Sequence, residues 1–409
     1  MKNKTDLKEI TRIGIVAMHN LSVGSGFSKV FRDLVNALNI LKKEVYVLSP
    51  FEININQIED FYGSCKIDKI IKVPKYKNFF CKDDTLARII IKKEFRQLAK
   101  EVDLIIDIDG RILYNSLPKS FDKSKYLAWR VSPAKSDFKK FGDLPMSLKR
   151  KIKIFLKKII NIKKRLPSNE FKTYALDMYT AKELKDHWGI NASEKYLYPE
   201  INTDKYYYNK KNKKNQIVVL GRIAINKRID ECIKIFAMGT KNYPEYNLVI
   251  IGGTTSDSEK YINELNKLTE NLGISKRVSI IKNPALDELK KFLIDSKIFI
   301  YAQRGDSTTI TAIEALASGA IVLSTKNDCG TWWELLESGK WGFGFDNIED
   351  GSKKLNEIIN KLNNNKLSPK KFIKRPEFYS HNNFIIRLKN ILNEVIQKDS
   401  YNNLKNEKT

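Results

Sequence analysis

Residues Ser296–Ser324 read SKIFIYAQRGDSTTITAIEALASGAIVLS. Lys297–Tyr301 is short and rich in apolar residues, and Ala320–Ser324 repeats that character. Between them Thr309–Ala317 has a helical pattern, so the stretch predicts a strand–helix–strand unit in a parallel sheet buried on both faces. Asp306–Thr309 then falls at a helix N-terminus, where free backbone N–H groups and the positive dipole end favour a phosphate. Ser307 and Thr308 are also good N-cap residues, which gives the same residues a purely structural use. Asp306 lies in the loop and Glu314 inside the small, apolar helix AIEALASG. A loop carboxylate can accept hydrogen bonds from sugar hydroxyls, and a cleft-facing helix carboxylate can hold a ribose diol.

The same alternation extends outward in both directions. Strands are predicted at Arg12–Met18, Glu44–Leu48, Asp68–Val73, Asp103–Ile108, Lys125–Val131, Lys172–Leu176 and Lys195–Tyr198. A second set falls at Ile217–Leu220, Asn247–Ile251, Arg277–Ile281, Lys297–Tyr301 and Ala320–Ser324. Helices between them imply right-handed βαβ units and open, doubly wound sheets. The polar segment Asn202–Gln216 separates the two arrays and reads as a linker, and Asn402–Thr409 reads as a frayed tail. Two such arrays place a ligand-binding cleft between the carboxyl ends of their strands.

Composition narrows the classes. The 409 residues carry 74 Lys and Arg against 48 Asp and Glu, a formal net charge of +26. Such a field attracts phosphorylated substrates, anionic lipid or nucleic acid, or simply solvates a lysine-rich surface. No zinc-finger spacing and no RNA-recognition aromatic motif accompanies it, so no nucleic-acid partner is expected; a nucleic-acid-binding protein stands as the alternative from another class. Met1–Glu9 is charged and lacks the apolar core of a signal peptide, and no apolar run reaches membrane-spanning length. The scattered cysteines Cys65, Cys81, Cys232 and Cys329 fit a reducing, cytoplasmic setting.

Asp306, seven intervening residues, Glu314 and then ALASGAIVLS together resemble the signature of retaining glycosyltransferases of family 4. That family has the GT-B fold, two Rossmann-like domains facing across a cleft. Its first acid is Glu where this chain has Asp306, and Ala320 stands where the family often leads into proline. VVLGRIAINKRID, Val218–Asp230, resembles the family's strand, Gly-Arg, loop and Lys. The resemblance gives Arg222 and Lys227 the donor diphosphate, and two cations with a helix N-terminus stabilise a leaving diphosphate without a metal. NDCGTWWELLESGKWGFGF, Asn327–Phe345, resembles the family's loop of Gly330 and an acid, Glu334. Of its adjacent tryptophans, at least one is expected in the core. VIIGGT, Val249–Thr254, brings Gly253 to the cleft edge, and the loop around Gly24 and Gly26 resembles the N-domain glycine loop.

The resemblance thus implies a donor site of Gly26, Arg222, Lys227, Gly253, Ser307, Thr308, Thr309, Glu314, Gly330 and Glu334. Asp306 and Arg130 are its catalytic candidates; no metal and no cofactor are expected beyond a UDP- or GDP-sugar substrate. An acceptor domain over 1–205, a donor domain over 206–376 and a C-terminal stretch, 377–409, whose helical part (Glu377–Gln397) packs back on the first domain are expected. None of the three histidines (His19, His187, His381) falls in Tyr126–Lys135, where many members place one; Arg130 is the nearest candidate and His19 also points at the cleft. A degenerate, non-catalytic subunit therefore stays open, as does another GT-B activity such as an epimerase. Asp107-Ile-Asp109 looks like a metal-binding pair but ends a parallel strand. Finally, 146–166 forms a basic amphipathic pattern, with Leu148, Ile152, Phe155, Leu156, Ile159, Ile162 and Leu166 on one face. Such a helix either packs on its sheet or lies on an anionic membrane, which fits an acceptor glycan or a polyprenyl-linked sugar at the cytoplasmic face.

Overall fold

The computed structural model describes residues 10–21, 25–74, 90–108, 116–132, 171–255 and 257–406. Twelve strands among these form two six-stranded, wholly parallel sheets. The first contains β1 (Arg12–Ala17), β2 (Glu44–Leu48), β3 (Lys69–Ile71), β4 (Leu104–Ile108), β5 (Tyr126–Arg130) and β6 (Lys172–Ala175). The second contains β7 (Lys214–Leu220), β8 (Asn247–Gly252), β9 (Val278–Lys282), β10 (Ser296–Tyr301), β11 (Ile321–Thr325) and β12 (Phe343–Phe345). Their orders are β3-β2-β1-β4-β5-β6 and β12-β11-β10-β7-β8-β9. Each is the Rossmann order, so each sheet has one switch point, between β1 and β4 and between β7 and β10. The fold expected from the short buried runs is the fold observed: β4, β5 and β11 are buried at every residue.

The described helices used below are α1 (Gly26–Ile40), α2 (Ile55–Tyr62), α3 (Lys92–Glu101), α4 (Met178–Trp188), α5 (Ile229–Gly239), α6 (Ser258–Asn271), α7 (Leu286–Asp295), α8 (Ile310–Ala317), α9 (Ile348–Asn363) and α10 (His381–Asn406). Each sheet has its own core. The chain crosses between them twice. The second crossing ends in α10, whose Phe384, Leu388, Ile391, Leu392 and Val395 join the core of the first sheet. Ile310, at the start of α8, packs against both cores.

Four local expectations are corrected. Lys195–Tyr198 is not a strand: Ser193 N–H donates to Thr173 O and Leu197 N–H to Ala175 O, so four residues on one side span two on β6 and no ladder register forms. Phe343–Phe345 is a strand that the sequence reading missed, because its three residues alternate with glycine and carry no apolar run. The strand predicted from Ile217 begins earlier, with β7 starting at Lys214 inside the polar linker, where Tyr206 is also buried. The tail is helical to Asn406. The basic segment 146–166, Gly24 and Asp109 lie outside the described residues.

Phe384 sits at 1% exposure with its ring centroid 6.2 Å from that of Trp129 on β5. Replacing it with Ala opens a cavity beneath α10, and Phe384→Ala is expected to lower unfolding free energy by about 3–5 kcal/mol. Urea unfolding followed by tryptophan emission measures it; a change under about 1 kcal/mol would show that α10 contributes no core there.

Candidate active site

The second sheet turns its direction at β7 and β10, and the loops leaving those two strands meet there. Backbone sterics set the first of them. Gly252 ends β8 so close to the next loop that a Cβ would stand 1.8 Å from Gly221 O, so only glycine fits. Gly221 N–H donates to Ile251 O, Ile223 N–H to Gly253 O, and Asn283 Oδ1 receives Thr254 N–H. This lattice fixes the Gly221–Lys227 turn. Arg222 and Lys227 line one hollow with Gly221 and Tyr301. A second hollow of about 320 Å³ opens beside Arg222, between the turn and α6.

The loop after β10 supplies the acid. Asp306 Oδ2 accepts from the buried Tyr301 hydroxyl at 2.9 Å and lies 3.8 Å from Lys227 Nζ. The loop is fixed by its neighbour: Gly305 N–H donates to Asp328 O, and Gly330 N–H to Asp306 O. A Cβ on Gly330 would meet Ser307 C and Thr308 N at 2.9 Å, so this glycine admits the 307–308 backbone. Asp306, Lys227 and Tyr301 therefore form one compact group at the switch point, and Ser307, Thr308 and Gly330 form its floor.

The helix after that loop starts later than Ser307 and Thr308 suggest as caps. Thr309 is the N-cap of α8, in extended backbone with no side-chain cap bond. The amides beside it are engaged within the protein: Thr308 N–H donates to Asp177 Oδ2 at 2.7 Å and Thr309 N–H to Thr331 Oγ1 at 3.1 Å. Asp177 is fully buried, and its other oxygen caps α4 through Thr180 N–H. Burial raises its carboxyl above the ordinary value.

Glu314 and Glu334 occupy two further buried places between the sheets. Glu314, 6% exposed, is bonded by the Tyr206 hydroxyl and faces Lys29 of α1. Burial pushes its pKa up to about 7, partly offset by Lys29 and Tyr206. Glu334 accepts from Met178 N–H at 2.9 Å and from the Tyr198 hydroxyl at 3.0 Å, so both its oxygens tie α4 and the first crossing to the second sheet. Its pKa is also raised to about 7, by burial first and by Asp177 second. Nearby, Lys29 Nζ donates to Asp33 Oδ2 and to Glu200 O, and Glu200 bonds His381.

The other expected residues are placed as follows. A Cβ on Gly26 would stand 4.0 Å from Ile310 Cδ1, so the start of α1 faces the start of α8. Arg130 ends β5 at 3% exposure. The His19 ring lies 4.0 Å from that of Phe27. Asp107 is fully buried and accepts from the Tyr126 hydroxyl. Trp332 packs on the second core, and Trp333 lies 5.3 Å from Tyr179 of α4. Among the described residues no group of three His, Cys, Asp or Glu could hold a metal, and no helix is long and apolar enough to cross a membrane. The sequence reading missed Tyr301, Tyr206, Asp177 and Tyr198. Asp177 alone left a signal, as an N-cap residue before a helical pattern.

Comparison with known proteins follows this geometry. Residues 200–377 match the family described as glycosyl transferases group 1. A glycosyltransferase from Rickettsia africae superposes with a TM-score of 0.66 at 17% identity, over 95% of this chain and 99% of that one. Anabaena HepE in complex with UDP and glucose gives 0.66 at 13%, over 94% and 100%. The fold is that of the GT-B glycosyltransferases. In sequence, a human GDP-Man:Man(3)GlcNAc(2)-PP-Dol alpha-1,2-mannosyltransferase is 24% identical over 195 residues, 44% of this chain and 39% of that protein. The chain matches less than half the length of the first curated relatives.

A prediction follows from the buried Glu334. Its folded pKa, about 7, lies above the ordinary 4.5. Its contribution to stability is therefore complete below about pH 4.5 and is lost as pH rises through about 7. Glu334→Gln keeps an acceptor for Met178 N–H and offers a donor to the Tyr198 oxygen without ionising. Relative to the parent, it should gain about 1–3 kcal/mol between pH 5 and pH 8. Denaturant midpoints at both pH values measure this; a pH-independent difference would refute it.

Proposed function

We propose that this chain transfers a sugar from a UDP- or GDP-sugar to an acceptor with retention of anomeric configuration. The observation that carries the reading is the Lys227–Asp306–Tyr301 group at the switch point of the second sheet. A lysine and an arginine on one turn supply the positive charge that a leaving diphosphate requires, and the adjacent carboxylate supplies an acceptor for sugar hydroxyls. In this reading Arg222 and Lys227 hold the diphosphate, with Gly253 and the Ser307–Thr309 turn lining it. Asp306 orients the transferred sugar. Glu314 takes the ribose diol in the place where the Tyr206 hydroxyl now bonds it. Gly26 lets the first domain close on the donor, Gly330 shapes the floor, and Glu334 anchors the closed arrangement. Arg130 is the first domain's candidate for contact with the reacting groups. The glycosidic bond forms to an acceptor oxygen as the bond to the diphosphate breaks, and a diphosphate oxygen takes the acceptor's proton. Closure keeps water from hydrolysing the donor.

The reading assigns 1–205 to the acceptor, 206–376 to the donor and 377–409 to the returning helix. The human relative's printed name supports a nucleotide-sugar donor and a lipid-diphosphate acceptor. The Anabaena complex supports UDP. A polyprenyl-linked or free glycan acceptor, met at an anionic cytoplasmic membrane face through 146–166, belongs to the same proposal.

The test is thermal shift against UDP-, GDP-, ADP- and dTDP-sugars without metal. One nucleotide is expected to raise Tm in the parent protein. Losing a charge-assisted contact worth about 1.5–3 kcal/mol should weaken that nucleotide by roughly 10–100-fold in Lys227→Ala. Glu314→Ala should abolish the shift. Folded protein that no donor stabilises would sink the donor site.

A further inference from the structure

A cavity of about 520 Å³ lies away from the switch points, between the segment that follows α4 and one face of α10. That volume is within the range of small-molecule sites, about 300–1,000 Å³. It is lined by Tyr196, Tyr198, Arg387, Asn390, Asn393 and Glu394, among others. The two tyrosine rings meet edge to face, with centroids 5.9 Å apart and planes at 75°. The Arg387 guanidinium carbon lies 5.2 Å from the Tyr198 ring and 4.1 Å from the Phe378 ring. The two rings lie side by side against it, their own centroids 5.0 Å apart. Nη1 is buried and has no hydrogen-bond partner among the described residues.

Charge and hydrogen-bond capacity select the class of ligand. Lys195 and Arg387 balance Glu194 and Glu394 in the lining, and Glu394 is already paired with Lys172 and Lys195. A phosphate or a nucleic acid would meet as many carboxylates as cations in the lining itself. The two asparagine amides each offer both a donor and an acceptor, Arg387 offers donors, and Glu394 accepts. A purely apolar ligand would leave the asparagine amides without partners. A pyranose ring meets both demands, with hydroxyls around its edge for planar polar side chains and a C–H face for an aromatic ring.

We propose that this cavity is a second saccharide site, which holds one uncharged pyranose unit of a glycan against Tyr196 and the amides of Asn390 and Asn393. It is a binding site in its own right and does not rest on the transfer chemistry of the cleft. Tyr198 forms one wall and donates its hydroxyl to Glu334 of the second sheet, so the site is built on the same tie that joins the two sheets. Through it the protein grips a glycan at a point remote from the donor.

Saturation-transfer difference NMR on the full chain with maltotriose, cellotriose and mannotriose, each with and without excess UDP and GDP, tests this. At least one trisaccharide should give a signal that persists when nucleotide is present. Tyr196 is half-buried and Asn390 exposed, so Tyr196→Ala and Asn390→Ala should leave Tm unchanged. Each should weaken that trisaccharide about tenfold and leave nucleotide binding intact. The proposal is overturned if no trisaccharide binds, if both variants bind as the parent does, or if nucleotide abolishes the signal. Because the readout is binding and not transfer, failure of the donor reading leaves this result interpretable.

Discussion

One carboxylate, Asp177, accepts a backbone N–H from each side of the molecule. Its Oδ1 caps α4 through Thr180, and its Oδ2 takes the amide of Thr308 in the loop that carries Asp306. Both bonds come from backbone N–H groups, so one side-chain rotamer, that of Asp177, fixes main chain on both sides. The site's geometry follows from it. The 306–309 turn is held from the first sheet by Asp177 and from the second by Gly330 and Thr331. The Tyr301–Asp306–Lys227 group is held in turn by that fixed loop.

The two amides just before α8 are engaged in assembly: those of Thr308 and Thr309 donate to Asp177 and Thr331, so side chains must add the positive charge that these two do not offer a ligand. Lys227 and Arg222 are the residues on the facing turn that carry it. The close passage of Gly252 under Gly221 is what brings that turn within reach. A glycine at the end of one strand thus sets the position of two cations on the loop after its neighbour.

Fold class was legible because parallel strands buried on both faces leave apolar runs, and eleven of the twelve runs quoted from the sequence became strands. The twelfth, Lys195–Tyr198, has the same composition but bonds to β6 with the wrong spacing, a property of pairing that composition does not carry. Phe343–Phe345 failed in the opposite sense, since two phenylalanines around a glycine give no run. At the site, the sequence pattern offered Asp306 in a loop and Glu314 in a helix, and the family resemblance offered Arg222 and Lys227. Neither offered the tyrosines. Tyr301 reads as one more strand residue, Tyr206 as part of a polar linker and Tyr198 as part of a strand. Tyr206 and Tyr198 acquire their roles only when the fold delivers their hydroxyls to carboxylates from another segment, and Tyr301 when the loop after its own strand turns Asp306 back onto it.

Two of those hydroxyls belong to a wider set of donors that lets several acids be tolerated between the sheets. Asp33, Asp177, Glu314 and Glu334 are all buried near the crossings, and burial raises the pKa of each. An ionised carboxylate in such surroundings is stabilised only by donors, and each of these has at least one: Lys29, backbone N–H groups, Tyr206 or Tyr198. The donors reduce the cost of burial without removing it, because the net shift is still upward. Each acid therefore favours the folded state most when protonated, and that advantage fades as pH rises through its folded pKa. Asp33 loses it near 6, Glu314 and Glu334 near 7. The cores of the two sheets consist of apolar side chains and have no such dependence. The acids between the sheets therefore make those contacts vary in strength with pH near neutrality, as does the buried Lys213 within the second unit, whose pKa burial lowers to about 7.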